Sequence, residues 1–251
     1  MNDMQEKAKS NFEGLVRIIT SLVRDKKIQV DLIVGAGNTG IAMVKLSELI
    51  FDELNIHIPP KLVIPYYRFT KAHVGEGEPF QYNNILLPEI KEKLSSIENI
   101  QNILFVDDEI GGGRTVKGVI ELIFQARQEL SQNKPTLYIV AEDRSYNWQG
   151  LSTLINVQYC PFAEGGPRGN AISHIVPSEI HEIIKTYGSL DPKEELNALL
   201  DLPIKDKKED EKPIWSYDLL NDLKLKVANF HEIQSKFESY LRDLIKESTP
   251  N

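Results

Sequence analysis

Cys160 is the only cysteine in this chain, so an internal disulfide framework is excluded and no partner thiols exist for a cysteine-rich metal site. No apolar run approaches the roughly 20 residues that a bilayer-spanning helix needs. The opening MNDMQEKAKS lacks the basic-then-apolar order of a secretory signal. Basic charge is in deficit as well: 29 Lys and Arg stand against 37 Asp and Glu, a net of −8. Phosphate-rich polymers and anionic membranes favour a basic field, so neither nucleic acid nor membrane is expected as a partner. A small anionic ligand held with Mg²⁺ is compatible with that charge. These absences together lead us to expect a cytoplasmic protein. What is present is 251 residues, 41% of them hydrophobic, enough for one α/β domain of ordinary size plus an appendage.

The most informative stretch runs from Ile103 to Thr115, ILFVDDEIGGGRT. Ile103 to Val106 read as a buried strand. Asp107, Asp108 and Glu109 end it, Gly111, Gly112 and Gly113 turn the chain, and Arg114 and Thr115 open an amphipathic run. Val116, Val119, Ile120, Ile123 and Phe124 follow the helical period. A strand feeding a glycine loop and a helix N-terminus can hold phosphate, because backbone N–H groups converge and the helix end adds partial positive charge. Carboxylates upstream accept hydroxyl hydrogens and can share a hydrated cation. Hydroxyl readers next to a phosphate cradle suggest a phosphorylated sugar.

Hydrophobic strand, paired acids, glycine-rich turn and closing Thr resemble the phosphoribosyl-pyrophosphate signature of type I phosphoribosyltransferases. The match is close from Ile103 to Thr115 and loose over about residues 28 to 165. The resemblance implies that Asp107 and Asp108 hold the ribose hydroxyls, with Mg²⁺ near them, directly or through water. It implies that Gly111, Gly112, Gly113, Arg114 and Thr115 wrap the 5′-phosphate. Two positions depart from the family pattern. Gly112 stands where a Thr or Ser is usual, which removes one hydroxyl from the phosphate. Gly111 stands where some purine-salvage members place an Asp as acid/base, a role that glycine cannot fill.

A second glycine loop, Gly35-Ala36-Gly37-Asn38-Thr39-Gly40, lies between the strand expected over Ile28 to Val34 and a helix from Ile41 to about Leu54. It is formally G-x-G-x-x-G, so a dinucleotide site must be weighed. That site also wants an acid at the end of the next strand, Lys61 to Tyr67, where this chain has tyrosines and Arg68. The phosphoribosyltransferase resemblance instead gives Gly37, Asn38, Thr39 and Gly40 to pyrophosphate. A structural turn is the third reading.

Residues 68 to 79 lose periodicity and mix charge with Gly and Pro, as a mobile loop does. By resemblance this loop closes over the substrate, and Arg68, Lys71 and His73 meet the leaving pyrophosphate; a solvated loop is the plain alternative. A short helix is expected over 85 to 97. A strand over Thr136 to Ala141 ends in Glu142-Asp143-Arg144, which makes Asp143 a ligand candidate at a carboxyl edge. A strand over Leu154 to Cys160 leads to Phe162, which the resemblance makes a candidate for stacking on the acceptor. His174 and His181 are seven apart, consistent with one helical face, and read as surface or core histidines.

An amphipathic helix is expected over residues 4 to 25, and another over Asp191 to Leu200. Lys205 to Pro213 reads as a charged linker. One long helix from Tyr217 to Lys246 carries a Leu/Phe face that must be buried, either on the domain or in a homodimer. The alternation of strands and helices predicts a parallel twisted α/β sheet with helices on both faces. It would span residues 1–190, with a linker and helical appendage over 191–251. The resemblance implies an enzyme that uses Mg²⁺-bound phosphoribosyl pyrophosphate and a small nitrogenous acceptor. The alternatives are a sugar-phosphate-binding or regulatory module without catalysis, and a dinucleotide-dependent oxidoreductase.

Overall fold

Strands that are apolar on both faces must be covered on both sides, and this requirement organises the molecule. The computed structural model describes residues 3–64, 80–97, 99–110, 113–143, 156–164, 171–188, 190–205 and 215–249. Its strands are β1 (Leu32–Ala36), β2 (Lys61–Ile64), β3 (Asn102–Ile110), β4 (Thr136–Asp143) and β5 (Val157–Tyr159), all parallel, in the spatial order β2-β1-β3-β4-β5. A two-residue strand, β6 (Ala163–Glu164), continues along the end of β4. The expected α/β class with helices on both faces is what the chain adopts.

Side chains alternate between the two faces because successive residues of a strand point opposite ways. Leu32, Val34, Ile103, Phe105, Leu137 and Ile139 meet helices α3 (Phe80–Ser95) and α4 (Arg114–Glu129). Ile33, Leu104, Val106, Tyr138 and Val140 meet α1 (Asp3–Thr20) and α2 (Gly37–Glu53). The last turn of the first helix widens to a π-helical stretch, Ser21–Asp25. Beyond the sheet come a 3₁₀ turn at Ala171–His174, α5 (Ser178–Lys185) and α6 (Pro192–Leu199). His174 and His181 therefore sit on different elements, not on one helical face as their spacing suggested; Ile175 to Pro177 break the helix between them.

The C-terminal region differs from expectation in two respects. A small antiparallel pair, β7 (Ile204–Lys205) with β8 (Trp215–Ser216), precedes two helices, α7 (Tyr217–Lys226) and α8 (Phe230–Ser248), where one had been predicted. The break falls at Asn229, whose φ of 57° is left-handed. Asn is among the few residues whose side chain tolerates that conformation. The rest of the charged stretch after Lys205 lies outside the described residues.

The apolar face of α8 is covered by its own chain. Phe230, Ile233, Phe237, Leu241, Leu244 and Ile245 are buried in the same core as α1 and α2. Arg242 fastens the outer edge, donating to Asp52 and Glu53 of α2 at 2.8 and 2.7 Å. The described part of the appendage thus extends the core on one side of the sheet. No helix among the described residues is long and apolar enough to cross a membrane.

This packing fixes an expected difference between two substitutions. Phe237 is fully buried, so Phe237→Ala should cost about 3–5 kcal/mol of folding stability. Leu225 on α7 is 87% exposed, so Leu225→Ala should stay within about 0.5 kcal/mol of wild type. Denaturant unfolding of the two variants measures both; similar losses would contradict the packing described.

Candidate functional site

The sheet changes direction at β1. The chain leaves the carboxyl end of β1 through α2 towards β2 on one side, and leaves that of β3 through α4 towards β4 on the other, so these neighbouring strand ends feed loops in opposite directions. In open α/β sheets this switch point is where a crevice forms at the carboxyl edge. Pairing between β1 and β3 stops at Gly35 with Val106, while β3 stays on β4 as far as Ile110 with Asp143. The gap therefore opens at Asp107.

A β-bulge marks the same place. Between Val106 and Glu109 the register against β4 shifts, with an extra residue on the β3 side. A regular strand would send Asp107 and Asp108 to opposite faces, and a bulge re-aims such neighbours. Here the two carboxyl groups interact by charge. Each residue is only 6% exposed. Asp107 accepts from the Asp108 backbone N–H at 2.9 Å, and Asp108 accepts from that of Glu109 at 3.0 Å. Burial, then the neighbouring Asp108 charge, pushes the Asp107 carboxyl well above the usual aspartate range.

Beyond the acids, Gly111 and Gly112 lie outside the described residues. Gly113 closes the turn at φ 65°, a left-handed value that suits glycine, and acts as N-cap of α4. It brings no side chain to the cap, and the first helical bond runs from the Lys117 N–H to the Gly113 carbonyl at 2.9 Å. The amides of Arg114, Thr115 and Val116 thus have no acceptor within the helix. Thr115 sits partly exposed in this first turn.

The other glycine loop divides its work. Gly37 takes φ 61° and opens α2, whose cap residue Ala36 also offers no side-chain acceptor. Gly35 and Gly40 instead press the strand end against the helix start. A Cβ on Gly35 would fall 2.4 Å from the Gly40 carbonyl oxygen, and one on Gly40 would fall 2.7 Å from the Gly35 carbonyl carbon. Gly40, expected at a phosphate, is engaged in this close packing. Thr39 lies nearer the acids, where it borders a small void together with Asp108.

A lysine that the sequence did not flag shares that void. Lys193 Nζ lies 3.1 Å from Asp108 Oδ2, linking α6 to the acid pair across 85 residues of chain. A capping box holds its backbone in place: Asp191 accepts from the Lys193 and Glu194 N–H groups, and Glu194 accepts from that of Asp191. Only about 10 Å³ remains between Thr39, Met43, Asp108, Ser173 and Lys193, close to the minimum for one water and too small for a sugar. Two residues on, Glu195 meets His181 Nδ1 at 2.8 Å. Burial raises the Glu195 carboxyl, and burial followed by the nearby His181 lowers the His174 imidazole. These groups border a larger cleft of about 460 Å³ with Gln5 and Ser178.

Other expected residues scatter. Asp143 ends β4 partly exposed, while its neighbour Glu142 is fully buried with Lys7 of α1 at 3.4 Å. Phe162, proposed to stack on an acceptor, is 7% exposed in the core, where Gly14 of α1 abuts its carbonyl; little of its face is free for a ligand. Arg68, Lys71 and His73 lie outside the described residues, as do the side chains of Asn38 and Arg114. Among the described residues, no three or more His, Cys, Asp or Glu side chains form a metal-binding group. Asp107 and Asp108 do suit magnesium in another way, since that ion is commonly held by one or two carboxylates plus phosphate oxygens of the ligand. No protein-family model matches the chain, and no curated protein matches it either.

The acid pair should leave a mark on stability. With the Asp107 carboxyl raised, the folded state keeps a proton that the unfolded chain releases, so stability falls as pH rises from the ordinary aspartate range through the raised folded value. Asp107→Asn removes that cost and keeps an oxygen for the Asp108 N–H. It should raise the melting temperature at pH 7.5, with the gain shrinking as pH falls towards 4. A variant less stable than wild type at both pH values would contradict the burial argument.

Proposed function

We propose that this chain is a phosphoribosyltransferase-like protein. It binds phosphoribosyl pyrophosphate with Mg²⁺, transfers the phosphoribosyl group to a small nitrogenous acceptor and releases pyrophosphate. The observation that carries this reading is the bulged Asp107–Asp108 pair at the switch point, flanked by two helix N-termini that lack side-chain caps. Carboxylates suit ribose hydroxyls, and helix ends suit phosphates. The first turn of α4, from Gly113 to Thr115, takes the 5′-phosphate. The Gly37 turn and Thr39 take the pyrophosphate.

In the reaction the bond from ribose C1 to pyrophosphate oxygen breaks and a bond from C1 to the acceptor nitrogen forms. Positive charge gathers on the ribose and negative charge on the departing pyrophosphate. Fixed N–H donors lower the energy of that separation because they need not reorient as it develops. Holding the two reactants in register supplies the remainder, with no covalent nucleophile. Bound Mg²⁺ supplies charge neutralisation at the pyrophosphate.

One observation favours the second reading, a sugar-phosphate-binding or regulatory module without transfer. Asp108 already has a cation partner in Lys193, and the void that these two residues share has room for about one water. Mixing the protein with phosphoribosyl pyrophosphate, Mg²⁺ and a panel of nucleobases separates the two readings. Pyrophosphate release with one base supports transfer; ligand binding without release supports the module.

Binding itself tests the site under either reading. Asp107→Asn with Asp108→Asn removes charge-assisted hydrogen bonds worth about 1.5–3 kcal/mol each, so affinity for phosphoribosyl pyrophosphate should drop at least about tenfold. Gly113→Val should also weaken binding, because a β-branched residue resists the φ of 65° observed there. Calorimetry giving wild-type affinity in both variants would remove these residues from the site.

A further inference from the structure

We propose that Lys193 is a built-in latch on the acid pair, an ammonium that occupies the sugar-hydroxyl position until a ligand displaces it. This inference rests on the sugar-phosphate reading above and adds a regulatory element to the same site. Asp108 is buried, and its Oδ2 meets the ammonium of a lysine from a distant helix. The gap beside that pair holds no more than about one water. While the ammonium stays, the Asp108 oxygen that a ribose hydroxyl would use is already engaged.

The helix and the side chain differ in freedom. Helix α6 is anchored by its capping box, by buried Leu196, Ala198 and Leu199, by Asn197 donating to Pro203 O and by Gln234 donating to Ala198 O. It cannot leave cheaply. Lys193 stands at the first turn of that helix with 37% of its side chain exposed, on a stem with four rotatable bonds. The lysine can swing out while the helix remains in place. Opening the site is therefore a side-chain exchange at a fixed backbone.

Charge decides what can make the exchange. Withdrawing the ammonium strands the Asp108 charge beside Asp107 in a buried place, which is costly unless another positive charge arrives. A ligand that carries its own divalent cation meets that demand, and a bare sugar phosphate does not. The latch thus favours magnesium-loaded phosphoribosyl pyrophosphate over free ribose 5-phosphate. Where the closed form dominates, apparent affinity is reduced by the fraction of open molecules.

Calorimetry on the full chain with phosphoribosyl pyrophosphate and Mg²⁺ tests this. Lys193→Met keeps the stem and removes the charge. It should bind about fivefold to tenfold more tightly than wild type, since no closed form competes. Lys226→Met, the same charge change on an exposed residue of α7, should not alter affinity. Equal affinity in Lys193→Met and wild type overturns the latch and leaves the sugar-phosphate site standing. Weaker binding also overturns it and makes Lys193 a ligand contact. No binding by either protein removes the sugar-phosphate reading and the latch together.

A second measurement covers the case in which Lys193→Met does not fold. Amine labelling of wild type, read by mass spectrometry, should show Lys193 more reactive when the ligand is present. Protection of Lys193 by the ligand would overturn the latch.

Discussion

Two adjacent carboxylates buried at the end of a central parallel strand are the constraint on which this structure depends. Water does not solvate them, so the protein must. It does so with backbone N–H groups inside the bulge, with a raised Asp107 carboxyl, and with a lysine recruited from α6. The same problem recurs one strand away, where Glu142 is buried and α1 supplies Lys7. Peripheral helices on one side of the sheet thus act both as apolar cover and as carriers of countercharge. A sheet under selection for stability alone would place apolar residues at such positions, since buried ion pairs are weak stabilisers. Strain of this kind at a switch point is expected of a binding site.

Much of the fold was legible because its signals are local. Continuous apolar strands, glycine turns and helical periods specify an α/β sheet covered on both faces before any tertiary contact is known. The helix expected over Asp191 to Leu200 was equally readable; it runs from Pro192 to Leu199 with Asp191 as its cap. The break at Asn229 was not, because a left-handed residue inside an apolar periodic run leaves the hydrophobic pattern almost unchanged. The candidate site was legible in part. The acids and the Gly113 turn carry a local motif, whereas the partnership of Lys193 with Asp108 spans 85 residues and has no sequence signature. Gly40 has a second role that the motif does not announce: the close approach of strand and helix requires a glycine there.

The enzyme and module readings share one crevice and differ in what happens to the ribose bond after binding. The switch-point geometry, the bulge and the uncapped helix ends serve either. Lys193 bears on both, because a competing ammonium can time catalysis in an enzyme or set the threshold of a sensor. Under the proposed latch, the acid pair exchanges one cation for another.

Amide hydrogen exchange with and without phosphoribosyl pyrophosphate and Mg²⁺ tests the central claim most directly, because it reads the backbone donors themselves. Our account predicts that ligand slows exchange at Gly113 to Val116, in the first turn of α4, and at Gly37 to Ala42, at the start of α2. Unchanged exchange in both segments under saturating ligand, or protection confined to the cleft around His174 and His181, would contradict it.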